Sequence, residues 1–87
     1  MLVLRLYTFG VRRKEVELVE GIRSVLDEKY RGRYRFEIID LKKTPGEAEK
    51  EGIFATPTLV QEGSGSIRRV VAVRGSGQDL RAALGMR

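Results

Sequence analysis

The chain contains no cysteine and no histidine. Disulfides, thiolate zinc sites, cysteine nucleophiles and histidine general bases are therefore excluded together. Only carboxylates, lysine, hydroxyls and tyrosine remain for chemistry. No apolar run approaches the ~20 residues that a membrane-spanning helix needs. The opening run Met1-Leu2-Val3-Leu4-Arg5-Leu6-Tyr7 carries a charge inside it and no small-residue cleavage site. It reads as a strand rather than a leader, and a cytoplasmic location is expected. Internal repeats, low-complexity tracts and linkers are also missing, so residues 1–87 are expected to form one domain.

What is present suits a globular protein: 41% apolar and 33% charged residues over 87 positions. Seventeen Lys and Arg stand against twelve Asp and Glu, a net charge of +5. That surplus is compatible with plain solubility, with an acidic protein partner, or with nucleic acid.

Periodicity orders the elements. Leu2 to Phe9 is an apolar, β-forming run closed by Gly10. Lys14 to Tyr30 places Val16, Val19, Ile22, Val25 and Leu26 at helical spacing, widened by Leu18 and Tyr30, with Gly32 as a C-terminal stop. Tyr34 to Leu41 is a second strand with Tyr34, Phe36 and Ile38 on one face. A long helical crossover between two strands predicts parallel pairing. Thr44-Pro45-Gly46-Glu47 reads as a capped helix start, with Thr44 as cap and Glu47 reaching back, and Gly52 ends that helix early. Thr58 to Glu62 and Ile67 to Val73 form a hairpin around Gly63-Ser64-Gly65-Ser66. Gly75-Ser76-Gly77 leads into a last helix from about Gln78 to Leu84.

The order β-α-β-α-β-β-α is that of an α/β, thioredoxin-like fold with a central mixed sheet and helices on both faces. Ala55-Thr56-Pro57-Thr58-Leu59 lies where such proteins carry a cis X-Pro bond just before a strand. A structural cis-proline is therefore expected at Thr56 and Pro57. In redox members the cysteines would sit in the loop Phe9-Gly10-Val11-Arg12-Arg13-Lys14. Without a thiol, disulfide exchange has no nucleophile.

Read across the chain, Leu4-Arg5-Leu6-Tyr7, Gly10, Tyr34, Ile38-Ile39-Asp40, Pro45, Ala55-Thr56-Pro57-Thr58-Leu59 and Arg68-Arg69 together resemble the KaiB family. The resemblance runs from about Leu4 to Val71 without a gap. It implies a non-enzymatic protein-interaction module without catalytic residues, cofactor or metal. Its implied partner is a KaiC-like ATPase, with KaiA-like or SasA-like proteins by analogy, in clock or signalling regulation. The SasA sensor domain shares the fold and the Ala-Thr-Pro segment. KaiB proteins also switch between a thioredoxin-like monomer and a tetramer in which the C-terminal half pairs differently. This chain departs in that half. It has Gly63 to Ser66 where a proline-rich connector is usual and Val70-Val71-Ala72-Val73-Arg74 after the arginine pair, and the acidic tail past the last helix is expected to be missing after Met86-Arg87. Those changes agree with local strand, turn and helix propensity, so a chain resting in the thioredoxin-like state is expected.

The expected partner-binding residues are Arg5, Lys42, Lys43, Arg68 and Arg69. Lys42 and Lys43 leave the second strand at the carboxyl edge of the sheet, where open α/β folds place ligands. Arg68 and Arg69, adjacent in a strand, point to opposite faces. Arg5 alternates with Leu4 and Leu6 and could equally mark the sheet's outer face. Arg12, Arg13 and Lys14 crowd the start of the first helix, against its dipole, which suggests a partner surface or a bound anion beside simple solvation. Asp40 is expected to cap a turn, and Glu15, Glu17, Glu20, Asp27 and Glu28 to line the polar side of the helix. The competing reading is a basic nucleic-acid-binding domain, which the expected placement of Tyr7, Phe9, Tyr30, Tyr34, Phe36 and Phe54 on core faces disfavours.

Overall fold

A computed structural model describes residues 1–63, 65–71, 73 and 77–85. Its elements are β1 (Leu2–Thr8), α1 (Arg13–Tyr30), β2 (Tyr34–Asp40), α2 (Gly46–Glu51), β3 (Thr58–Gly63), β4 (Ser66–Val71) and α3 (Gly77–Ala83). The four strands form one sheet in the order β2-β1-β3-β4. β1 and β2 are parallel, while β1 with β3 and β3 with β4 are antiparallel. The fold class expected from the sequence, a mixed sheet flanked by three helices, is the one found.

Parallel pairing of β1 and β2 needs a crossover, and α1 supplies it. Its buried positions Leu18, Ile22, Val25 and Leu26 follow the i, i+4, i+7, i+8 pattern that packs one helical stripe on a sheet. Val16, expected in that stripe, is instead exposed. At about 100° per residue it falls more than a third of a turn away from the line through Leu18 and Ile22. The last turn of α1 closes at a turn in which Gly32 takes φ 74 and the Arg33 N–H donates to the Tyr30 carbonyl at 2.7 Å. Only glycine enters that left-handed region without strain.

Alternation along β1 divides the core. Leu4 and Leu6 face α1 and α3, joining Leu18, Ile22, Val25, Leu26, Leu59, Val73, Leu80 and Leu84. Tyr7 faces the other way and packs with Leu41, Ile53 and Val60 beneath α2. Burying each large aliphatic side chain stabilises the fold by ~1.5–3 kcal/mol before chain entropy is counted, so the larger cluster dominates.

Two local expectations are corrected. The Thr44 hydroxyl does not cap α2. It donates to the Asp40 carbonyl at 3.2 Å, and α2 begins after Pro45 without a side-chain cap from Thr44 or Glu47. The fourth strand is described to Val71. Val73 has left the sheet pairing, its N–H donating to the Pro57 carbonyl at 2.9 Å while its side chain enters the core. The expected strand residue Ala72, the Arg74-Gly75-Ser76 break, the turn residue Ser64 and the Met86-Arg87 end lie outside the described residues. Among the described residues no helix is long and apolar enough to cross a membrane.

Candidate functional site

One end of the sheet gathers the loops. β1 and β2 both run towards it, and β3, being antiparallel to β1, starts from it. Phe9 and Gly10, the start of α1, the Asp40–Thr44 segment and the Phe54–Pro57 segment therefore meet there. The Thr56–Pro57 peptide is cis, and the Thr58 hydroxyl fastens this loop by donating to the Ala55 carbonyl at 2.5 Å.

Asp40 ties the loops together. Its Oδ1 accepts the Gly10 N–H at 2.8 Å and the Lys42 N–H at 3.0 Å. The turn-capping role read from the sequence is present, and it extends across to the end of β1. The Gly10 hydrogen bond is the main reason the Asp40 carboxyl titrates below its ordinary value. The Lys42 N–H and the Lys43 and Lys42 charges add to it, against a smaller opposing effect of burial. Phe9 and Phe54, expected on core faces, are 59% and 98% exposed. They flank an apolar groove of about 360 Å³ between α2 and the loop before β3, floored by Leu41, Ala48 and Ile53. Ile53 fills the core beneath α2, so its neighbour Phe54 must turn outwards.

Beside the groove lies a second cleft of about 260 Å³, lined by Thr8, Phe9, Arg12, Lys14, Glu15, Thr56 and Pro57. Glu15, expected on the polar side of α1, is buried and accepts the Arg12 N–H at 2.8 Å. Position explains this. Glu15 is three residues past the helix boundary, where a carboxylate can reach back to the first free N–H. Thr8, at the end of β1, is fully buried, and among the described residues its hydroxyl has no hydrogen-bond partner.

The five expected partner-binding residues do not form one patch. Lys42 and Lys43 are exposed at the loop end. Arg5 and Arg69 share the opposite sheet face, in one row on either side of Val60. Arg5 is committed there: its Nη1 and Nη2 both donate to Glu62 Oε1, at 2.9 and 2.8 Å. Arg69 donates from Nη1 to the Gly52 carbonyl at 3.1 Å, joining β4 to the end of α2. Arg68 alternates to the α1/α3 face, opposite Gln61, and lies against Gly85. The sequence reading missed Thr8, Phe9, Glu15 and Phe54. No signal in the sequence separates Phe54 from its buried neighbour Ile53; the filled space beneath α2 decides it.

Among the described residues no group of three or more acidic side chains is placed to hold a metal ion. What the arrangement can do is bind: an apolar groove with aromatic rims, a polar cleft at its side, and two lysines nearby.

A family model described as the KaiB domain matches residues 5–82. Among curated relatives, the circadian clock oscillator protein KaiB of Microcystis aeruginosa is 33% identical over 69 residues, 79% of this chain and 66% of the relative. The protein of the same name from Prochlorococcus marinus is 33% identical over 79% of this chain and 58% of its own length. The chain thus spans less than two thirds of these relatives. Among solved structures, the N-terminal domain of Synechococcus elongatus SasA superposes with a TM-score of 0.74 at 20% identity, covering 97% of this chain and 83% of that one. Chloroplastic thioredoxin z gives a TM-score of 0.75 at 17% identity over 98% and 76%. At such identities these two likenesses concern the fold.

Proposed function

This chain belongs to the KaiB family, and from that membership and the loop-end geometry we propose that it is a non-enzymatic protein-interaction module of a clock or signalling system. Its partner is a KaiC-like ATPase, and it docks in the thioredoxin-like state. The observation that carries this reading is Phe54, an almost wholly solvent-exposed aromatic residue on the rim of an apolar groove. Large aromatic side chains are the usual anchors of protein interfaces, and a fully exposed one gains most by being covered. Lys42 and Lys43 supply a basic border for an acidic partner surface. KaiA-like or SasA-like proteins would meet it through the same pathway.

Size-exclusion chromatography with a KaiC-like ATPase and nucleotide tests the proposal. The expected result is a shifted complex that Phe54→Asp abolishes, at no loss of folding because the side chain touches solvent. Repeated failure to form a complex would sink the partner assignment, and full binding by the Phe54→Asp variant would sink the surface. A stable tetramer, or a solution structure in which β3 is replaced by a helix, would overturn the thioredoxin-like resting state. The nucleic-acid reading gains nothing from the sheet face on the α2 side, where Arg5 and Arg35 are paired with Glu62 and Glu37.

A further inference from the structure

We propose that the cleft between the start of α1 and the Thr56–Pro57 loop is a carboxylate-binding subsite, which receives an acidic side chain of the protein partner. This rests on the docking reading above and specifies what the docked segment carries.

Three features of the cleft converge. The Thr8 hydroxyl is wholly buried in its wall without a hydrogen-bond partner among the described residues, although folding has removed it from water. Buried hydroxyls are almost always satisfied, so one left open at a cleft marks a place for a ligand atom. The cleft also lies at the N-terminus of an 18-residue helix. The Lys14 N–H group there has no intrahelical acceptor by position, and the helix dipole is positive. Finally, Arg12 and Lys14 line the same cleft. Arg13, which does not, has a carboxylate of its own, Glu17, at 3.5 Å. Two cations against the positive end of a helix are mutually unfavourable until an anion sits between them.

Glu15 is the opposing charge within the cleft. Its carboxylate is engaged by the Arg12 N–H at 2.8 Å, and it offsets one cation of two. The helix end and the remaining cation leave the cleft positive. The adjoining groove decides which anion. Phe9 and Thr56 line both cavities, so a ligand group in the cleft continues directly onto the apolar floor at Leu41 and Ile53. A free inorganic anion would leave that floor bare. An acidic residue with apolar neighbours fills both.

The test uses the isotope-labelled full chain and a capped pentapeptide of leucine and alanine with one central glutamate, beside a twin carrying glutamine. The expected result is amide-shift changes centred on Thr8 and Lys14, with the glutamine twin binding at least about tenfold more weakly. Thr8→Val keeps the shape of the side chain. It should weaken the glutamate peptide at least about threefold while melting no lower than the parent, since no satisfied hydrogen bond is lost. Lys14→Gln, an exposed change, should weaken it similarly. Equal affinity for the two peptides, shifts centred on Lys42 and Lys43, or unchanged binding by both variants would overturn the subsite. The peptide readout does not involve the ATPase. Peptide binding without a chromatographic complex therefore rejects the partner, and a complex unaffected by Thr8→Val rejects the subsite alone.

Discussion

Asp40 shows how much a single side chain organises at the loop end. Its carboxylate holds Gly10 and Lys42 through their N–H groups and so fixes the exits of β1 and β2 relative to each other. Those bonds favour the charged form and lower its pKa. A group lowered on folding contributes stability above its unfolded value, near the ordinary 3.8, and loses it as pH falls through the lowered folded value. Asp40→Asn should therefore melt below the parent at neutral pH. The gap between the two should close as pH drops below the ordinary carboxyl range. Thermal melts followed across acid pH check this, and a gap that stays constant or widens in acid would contradict it.

Between elements, α3 crosses α1 closely at Gly21. A Cβ at Gly21 would stand 2.8 Å from Leu80 Cδ1, and Leu80 is itself buried in the main cluster. In an isolated helix glycine is inferior to alanine by ~1 kcal/mol. Here the missing side chain is what lets the two helices meet. Gly21→Leu is expected to destabilise the protein by about 1–3 kcal/mol through overpacking, measured by urea unfolding. A variant as stable as the parent would show that α3 is not seated as described. The Arg81–Glu28 ion pair, also between these helices, is half-exposed and worth little by comparison.

For the molecule as a whole, charge is the relevant quantity. With a net charge of +5 and Lys42 and Lys43 exposed beside the groove, association with an acidic partner should be electrostatically steered. The on-rate for the proposed ATPase, followed by stopped flow or a surface sensor, is expected to fall at least about tenfold from low to high salt. The dissociation rate should change far less, because the apolar groove is not screened. The double variant Lys42→Glu, Lys43→Glu should flatten that dependence. A salt-independent on-rate would mean that the basic residues face elsewhere in the complex.

The sequence by itself determined the element order, the parallel crossover, the thioredoxin-like class and the family resemblance. The order and the crossover follow from periodicity and from glycine and proline chemistry, which act within a few residues of each other, and the resemblance comes from motifs that match a known family in register. Gly32 and Gly52 take left-handed backbone as their places at helix ends required, and the absence of cysteine settled the question of thiol exchange. Tertiary structure alone decided where the charges and aromatics went. Alternation could say that Arg68 and Arg69 part company, but not that Arg69 would reach the Gly52 carbonyl or that Arg5 would close on Glu62. A helical pattern could list Glu15 among polar positions, but its burial depends on the loop that α1 packs beside. Phe9 and Phe54 look like core residues by type. They are exposed because the space beneath α2 is already filled by Tyr7, Leu41, Ile53 and Val60, and side-chain volume in a shared core is a property of the assembled chain.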